Sequence, residues 1–277
     1  MKTRIIVAAI GIPVLLLLIF LAPLWTFSVL VSAISAYCAF ELMRCIAPES
    51  PRRFTIYAAV SAFVIPIGCA FLTGNTAANA AVYLLALVMF CEMMWSFRAE
   101  KHYGLGAVSQ VVFAGAVMPI MLSALVRVGM REYSAVYVML PFVAAFSSDS
   151  GAYFAGKFLG KNKLFPALSP QKTVEGCIGG AISAVVLMLL YGAILLLFKF
   201  EVNFFALALY GLFGSLAGQL GDLAFSAVKR QYDIKDYGTL IPGHGGVLDR
   251  FDSLHFTAPM LEILVLLIPA FSKHITG

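Results

Sequence analysis

Between Gly221 and Ser253 the chain gathers five aspartates, two lysines, two arginines and one histidine, although it holds only 14 acidic residues in all. Carboxylates can hold a divalent cation and basic groups can hold phosphates. The turn Pro242-Gly243-His244-Gly245-Gly246 lets backbone N–H groups come close to an anion. Such a set serves phosphoryl or nucleotidyl transfer, and its apolar surroundings point to a lipid substrate. Asp222, Ser226, Lys229 and Arg230 are spaced i, i+4, i+7 and i+8. A helix continuing through Arg230 therefore carries all four on one face, with the acid nearest the membrane. The bland alternative is a helix end with snorkelling basic side chains, yet an acid at a span boundary on a basic face needs a partner.

The glycine turn reads equally as a plain reversal before the last helix. His244 stands open between a phosphate contact with a catalytic role and a cap on that turn. Asp249 and Asp252 follow at i, i+3, on one face of the helix they open. Both suit metal coordination, and both suit helix capping, since acids are favoured at a helix N-terminus. Asp249, flanked by Arg250, is the stronger ligand candidate. A second patch lies upstream, in Ser147-Ser148-Asp149-Ser150-Gly151 through Lys157 and in Ser169-Pro170-Gln171-Lys172-Thr173-Val174-Glu175-Gly176. Asp149 shares the boundary placement of Asp222. Lys172 and Thr173 occupy a constrained loop ahead of a helix, which suits phosphate binding; a solvated loop is the alternative.

The elements that must position these residues are membrane spans. The chain is 61% hydrophobic and 12% charged over 277 residues, with a mean hydropathy of +0.94, whereas soluble domains are about a quarter charged. A span needs roughly 20 apolar residues. Nine segments qualify: 5–22, 26–45, 55–73, 79–96, 105–126, 134–148, 177–198, 203–221 and 253–272. The expectation is an all-α integral membrane protein, a polytopic bundle of about nine helices forming one domain over 1–277, with cytoplasmic catalytic loops at about 147–176 and 222–253. With the N-terminus inside, 15 of the 19 Lys and Arg fall on the inner side and 4 outside, which predicts N-terminus in and C-terminus out. The net charge of +5 then reports topology, and nucleic acid is not an expected partner. The five cysteines form no C-x-x-C pair and read as buried thiols. The apolar run after Lys2 and Arg4 reads as a retained span, not a cleaved signal.

The motifs Ser226-x-x-Lys229-Arg230, Lys235-Asp236-x-Gly238, Pro242-Gly243-His244-Gly245-Gly246 and Asp249-Arg250-Phe251-Asp252 resemble the C-terminal signature of the phosphatidate cytidylyltransferase (CDP-diacylglycerol synthase) family. The upstream patch resembles that family too. Two positions depart from its pattern: Val174 stands where many members carry Trp, and Phe225 where an acid is expected before Ser226, which puts more weight on Asp222. The resemblance implies transfer of CMP from CTP to phosphatidate, with Mg2+, and a second cation as a further option. It implies catalytic roles for Asp222, Asp249, Lys229, Arg230 and His244, with Asp222, Asp249 and Asp252 on the metal. It implies substrate contacts for Ser226, Lys172, Thr173, Lys235, Asp236, Gly245, Gly246, Arg250 and Asp149. The expected partners are CTP, phosphatidate, membrane lipids and a second copy in a homodimer. The expected location is the plasma (inner) membrane. Competing readings are a cytidylyltransferase or kinase acting on another lipid, a transporter using Glu41, Glu92 and Glu262 as an ion path, and a membrane scaffold.

Overall fold

In hydrocarbon every backbone N–H and C=O must find its partner within the segment, so apolar runs of this length become helices. The structure, a computed structural model, describes residues 11, 13–72, 76–98, 102–240 and 245–273. Residues 13–20 are helical (α1), and the rest of the first expected span lies largely outside the described residues. The helices α2 (Leu24–Ile46), α3 (Arg52–Phe71) and α4 (Thr76–Ser96) follow. Pro23 and Pro51 stand just ahead of α2 and α3, where a missing N–H leaves no helical bond unmade. The fifth span is broken into α5 (Leu105–Val112), a π-helical turn (Phe113–Val117), α6 (Met118–Leu122) and α7 (Ala124–Gly129). Then come α8 (Ser134–Leu159), a hairpin of β1 (Lys163–Phe165) and β2 (Ser169–Thr173), α9 (Val174–Leu197), β3 (Phe200–Val202), α10 (Phe204–Gln231), α11 (Leu248–Leu267) and β4 (Phe271–Lys273).

The chain divides into two compact units. One comprises Met1–Ala135 with Tyr232–Phe251, and the other Val136–Gln231 with Asp252–Gly277. In the first, α2 packs along α3, and α3 along α4. Arg53 clamps Glu92 through Nε–Oε1 at 2.8 Å and Nη2–Oε2 at 2.9 Å, with the Tyr57 hydroxyl donating to Oε1 at 3.1 Å. In the second, α9 packs along α10. Antiparallel β3 and β4 pair Phe200 with Lys273 and Val202 with Phe271.

Seven helical stretches among the described residues are long and apolar enough to cross a membrane, Leu105–Gly129 counting as one. The protein is therefore an all-α polytopic membrane protein, with two small antiparallel strand pairs among the described residues. Helix α11 is outside the seven because Arg250, Asp252 and Glu262 interrupt its apolar run.

Two boundaries correct the expectation. The sixth segment does not end at 148: α8 runs 26 residues to Leu159, so Asp149 and Lys157 are helical. The serine run does not stop it, because Ser147 Oγ donates back to the Val143 carbonyl at 2.5 Å and to Ala144 at 3.2 Å, keeping the hydroxyl inside the helix. The eighth segment likewise continues as α10 to Gln231. The loops are shorter than expected, and Asp149, Asp222, Ser226, Lys229 and Arg230 are held on helices.

Candidate functional site

In the second unit α8, the hairpin, the start of α9 and α10 enclose a cavity of about 450 Å³, lined among others by Asp149, Gln171, Lys172, Thr173, Gln219 and Asp222. Its floor is a polar knot. Ser148 and Ser215 hydroxyls lie 2.7 Å apart. Gln219 Nε2 donates to Ser215 Oγ at 2.9 Å, Cys177 O at 3.2 Å and Ser148 Oγ at 3.3 Å. One amide thus ties α8, α9 and α10 together, which satisfies polar groups that would be costly left bare in an apolar bundle.

Lys172 reaches across from β2, its Nζ 2.5 Å from Asp222 Oδ2. Asp222 also accepts a long 3.4 Å bond from Ser226 Oγ one turn on, as the i, i+4 spacing predicts. Asp252, the fifth residue of α11, is buried, with its Oδ1 accepting the Ser253 N–H at 2.7 Å. Burial pushes its carboxyl up from the usual range and the Asp222 carboxylate adds to this; the Ser253 N–H and Lys229 oppose it, while Asp149 adds a little more. Asp149, Asp222 and Lys229, from two helices, therefore all act on Asp252 of a third. Among the described residues no three His, Cys, Asp or Glu side chains are gathered closely enough to hold one ion. That is compatible with Mg2+, which takes one or two carboxylates and completes its shell with water and substrate phosphate oxygens.

Arg230 Nε donates to the Leu168 carbonyl at 3.3 Å, bracing the hairpin turn. Thr173 is buried and caps α9, its Oγ1 accepting the Gly176 N–H at 3.1 Å. Thr173→Ala is expected to cost about 1 kcal/mol. Thermal unfolding in detergent checks it: the midpoint falls for Thr173→Ala and is restored by Thr173→Ser.

In the first unit the segment after Tyr232 is held by carboxylates. Asp249 Oδ2 accepts the Tyr237 N–H at 2.8 Å and the Gly246 N–H at 3.0 Å. Glu41, from α2, accepts the Val247 N–H on Oε1 at 3.1 Å and the Leu248 N–H on Oε2 at 2.8 Å. Gly245 has a φ of +82°, which favours glycine. Lys235, Asp236 and Arg250 are exposed.

Residues 2–268 match the sequence model of the "Cytidylyltransferase family". This chain belongs to the cytidylyltransferase family. It is 33% identical over 273 residues to the phosphatidate cytidylyltransferase of Bacillus subtilis (strain 168), covering 96% of this chain and 98% of the relative. Over 199 residues it is 34% identical to that of Staphylococcus haemolyticus (strain JCSC1435), covering 70% and 72%. Over 130 residues it is 45% identical to that of Staphylococcus aureus (strain COL), covering 47% and 49%.

As a member of this family the chain is a nucleotidyltransferase. Of its expected site residues, Asp149, Lys172, Thr173 and Asp222 line one cavity, and Ser226 lies one turn beyond Asp222. Asp249, Gly245, Gly246, Arg250, Lys235 and Asp236 fall in the other unit. The Gly246 N–H, expected to face an anion, points to Asp249. His244 lies outside the described residues. Of the two departures from the family pattern, Val174 is exposed, and Phe225 is buried with its ring 5.5 Å from that of His255 and 6.4 Å from Phe256. Gln219 and Glu41 were missed as site residues. Their only sequence signal is a polar side chain inside an apolar run. Glu41 and Glu92, two of the three acids an ion path would use, are bound to backbone N–H groups and to Arg53 respectively.

Proposed function

We propose that this chain is a phosphatidate cytidylyltransferase. It joins a phosphate oxygen of phosphatidate to the α-phosphorus of CTP as the bond from that phosphorus to the β-phosphate bridge breaks, giving CDP-diacylglycerol and pyrophosphate. The observation that carries this reading is the Lys172–Asp222 ion pair inside a cavity large enough for phosphates, in a chain whose relatives are named for the reaction. Phosphatidate brings its own oxyanion, so no protein nucleophile is required. The protein's task is to bring two anions together, by positioning and charge. Lys157 and Lys172, which line the cavity, supply positive charge there, and the Gln219 knot keeps α8, α9 and α10 in register.

Magnesium fits the donors present. Asp222 and Asp252 offer hard oxygen ligands on neighbouring helices, and burial, with the Asp222 carboxylate beside it, pushes the carboxyl of Asp252 up. The ion would supply charge neutralisation on the substrate phosphates. The test is purified protein with labelled CTP and phosphatidate in mixed micelles. Label should enter lipid only when both phosphatidate and Mg2+ are present, and EDTA should stop it. Transfer to a different lipid acceptor, or none, sinks the reading.

The reaction in this reading takes place at the cytoplasmic face of the plasma membrane, the side where CTP is available. The 15-to-4 distribution of Lys and Arg supports it. On a background lacking native cysteines, single Cys probes near 161 and 235 should resist an impermeant reagent applied to intact cells, and probes near 131 or 201 should react. The reverse pattern would put the cavity on the wrong side.

A further inference from the structure

We propose that Glu41 is a positioning residue for the nucleotidyl transfer: a carboxylate in the second helix that builds the anchor from which α11 presents Arg250 to a substrate phosphate. The proposal rests on the function proposed above.

Glu41 is 3% exposed in a span, and a carboxylate there must be compensated. Both its oxygens are taken by consecutive N–H groups, those of Val247 and Leu248, 206 and 207 residues downstream. Leu248 opens α11 and Val247 stands just ahead of it, where N–H groups have no partner inside the helix. The carboxylate also explains two glycines. A Cβ on Gly246 would lie 2.6 Å from both Glu41 oxygens, and a Cβ on Gly238 would strike Oε1. Both glycines belong to the motifs that carry the family resemblance, and here their smallness admits a carboxylate of the protein. Asp249 closes the other side by accepting the Tyr237 and Gly246 N–H groups. Two acids therefore gather four backbone donors at the two ends of the glycine segment. What they fix is the first turn of α11, with Arg250 exposed upon it. Removing one clamp lets that turn shift and weakens the contact of Arg250 with the substrate phosphate, so the loss falls on substrate binding.

The test uses full-length protein in nanodiscs, with Glu41→Ala, Glu41→Gln and Gly246→Ala. Amide hydrogen exchange over 237–250 should quicken at least about tenfold in Glu41→Ala, less in Glu41→Gln, which keeps one acceptor oxygen, while α3 and α4 keep their protection. In the cytidylyltransferase assay the KM for CTP should rise about tenfold. A smaller folded fraction would lower the apparent kcat and leave KM alone, so the KM separates positioning from general destabilisation. Gly246→Ala, which drives a methyl into the carboxylate without removing it, should reproduce the local loss; it decides the matter if Glu41→Ala does not fold. Unchanged exchange over 237–250, or a fall in kcat with KM unmoved, overturns the proposal. If wild-type protein makes no CDP-diacylglycerol, the function proposed above fails, and the exchange experiment still judges the anchor.

Discussion

Asp222→Asn should lower turnover by at least about a hundredfold while the protein still inserts and folds. Asn keeps the shape of the side chain but brings no charge to a cation or to Lys172. Loss of fold would be a competing cause, and the magnitudes decide against it. The Lys172 and Asp222 side chains are 27% and 34% exposed, and ion pairs in contact with water contribute about 0–1 kcal/mol. That is too little to unfold a bundle of this size. Asp252→Asn separates the two effects further. Asp252 is buried, and burying a charge costs more than burying an amide, so the variant should be as stable as the parent or more so while its activity falls. Activity and thermal unfolding measured on the same preparations check both. Near-normal turnover of Asp222→Asn at ordinary Mg2+ would remove Asp222 from the reaction.

The spans were legible because an apolar run of about 20 residues has one stable form in lipid. Four of them, α2, α3, α4 and α9, begin and end within three residues of the expected limits. Where α8 ends is not legible, because its polar run looks like the end of a helix, whereas the one-face spacing already carries α10 through Arg230, one residue short of its end. Ser147 instead turns its hydroxyl back on Val143, and Ser226 and Lys229 carry their helix onward beyond Asp222, which lines the cavity. The one-face spacing of those residues survived, since it depends only on helical period. The β1–β2 hairpin was hidden because strands of 3 and 5 residues carry too little alternation to show. Most hidden of all were the long-range polar ties. Gln219 bonds to Cys177 and Ser148, 42 and 71 positions away, and Glu41 to residues more than 200 away. A single polar residue in an apolar run announces that it needs a partner, but only the fold says which.

Lys172→Met should lower turnover about a hundredfold, and combining it with Asp222→Asn should add little to either single loss. The reasoning runs through the 2.5 Å contact between the two side chains. In the proposed reaction Lys172 would neutralise Asp222 before substrate arrives and would turn its charge to a substrate phosphate once Asp222 holds a cation. Each residue then depends on the other for its place in the cavity, and groups that act as a unit lose function together. Two independent contributors would multiply, giving on the order of ten-thousandfold in the double variant. The alternative, that Lys172 merely marks the cytoplasmic side, predicts no loss at all from Lys172→Met, because the remaining basic residues hold the topology. Lys172→Arg refines the result. Its charge is kept, but the planar fork is longer and directional where an ammonium is compact, so activity should return only in part. Initial rates of CMP transfer for the two single variants and the double variant settle which case holds. Multiplying losses would mean that the ion pair is only a resting contact.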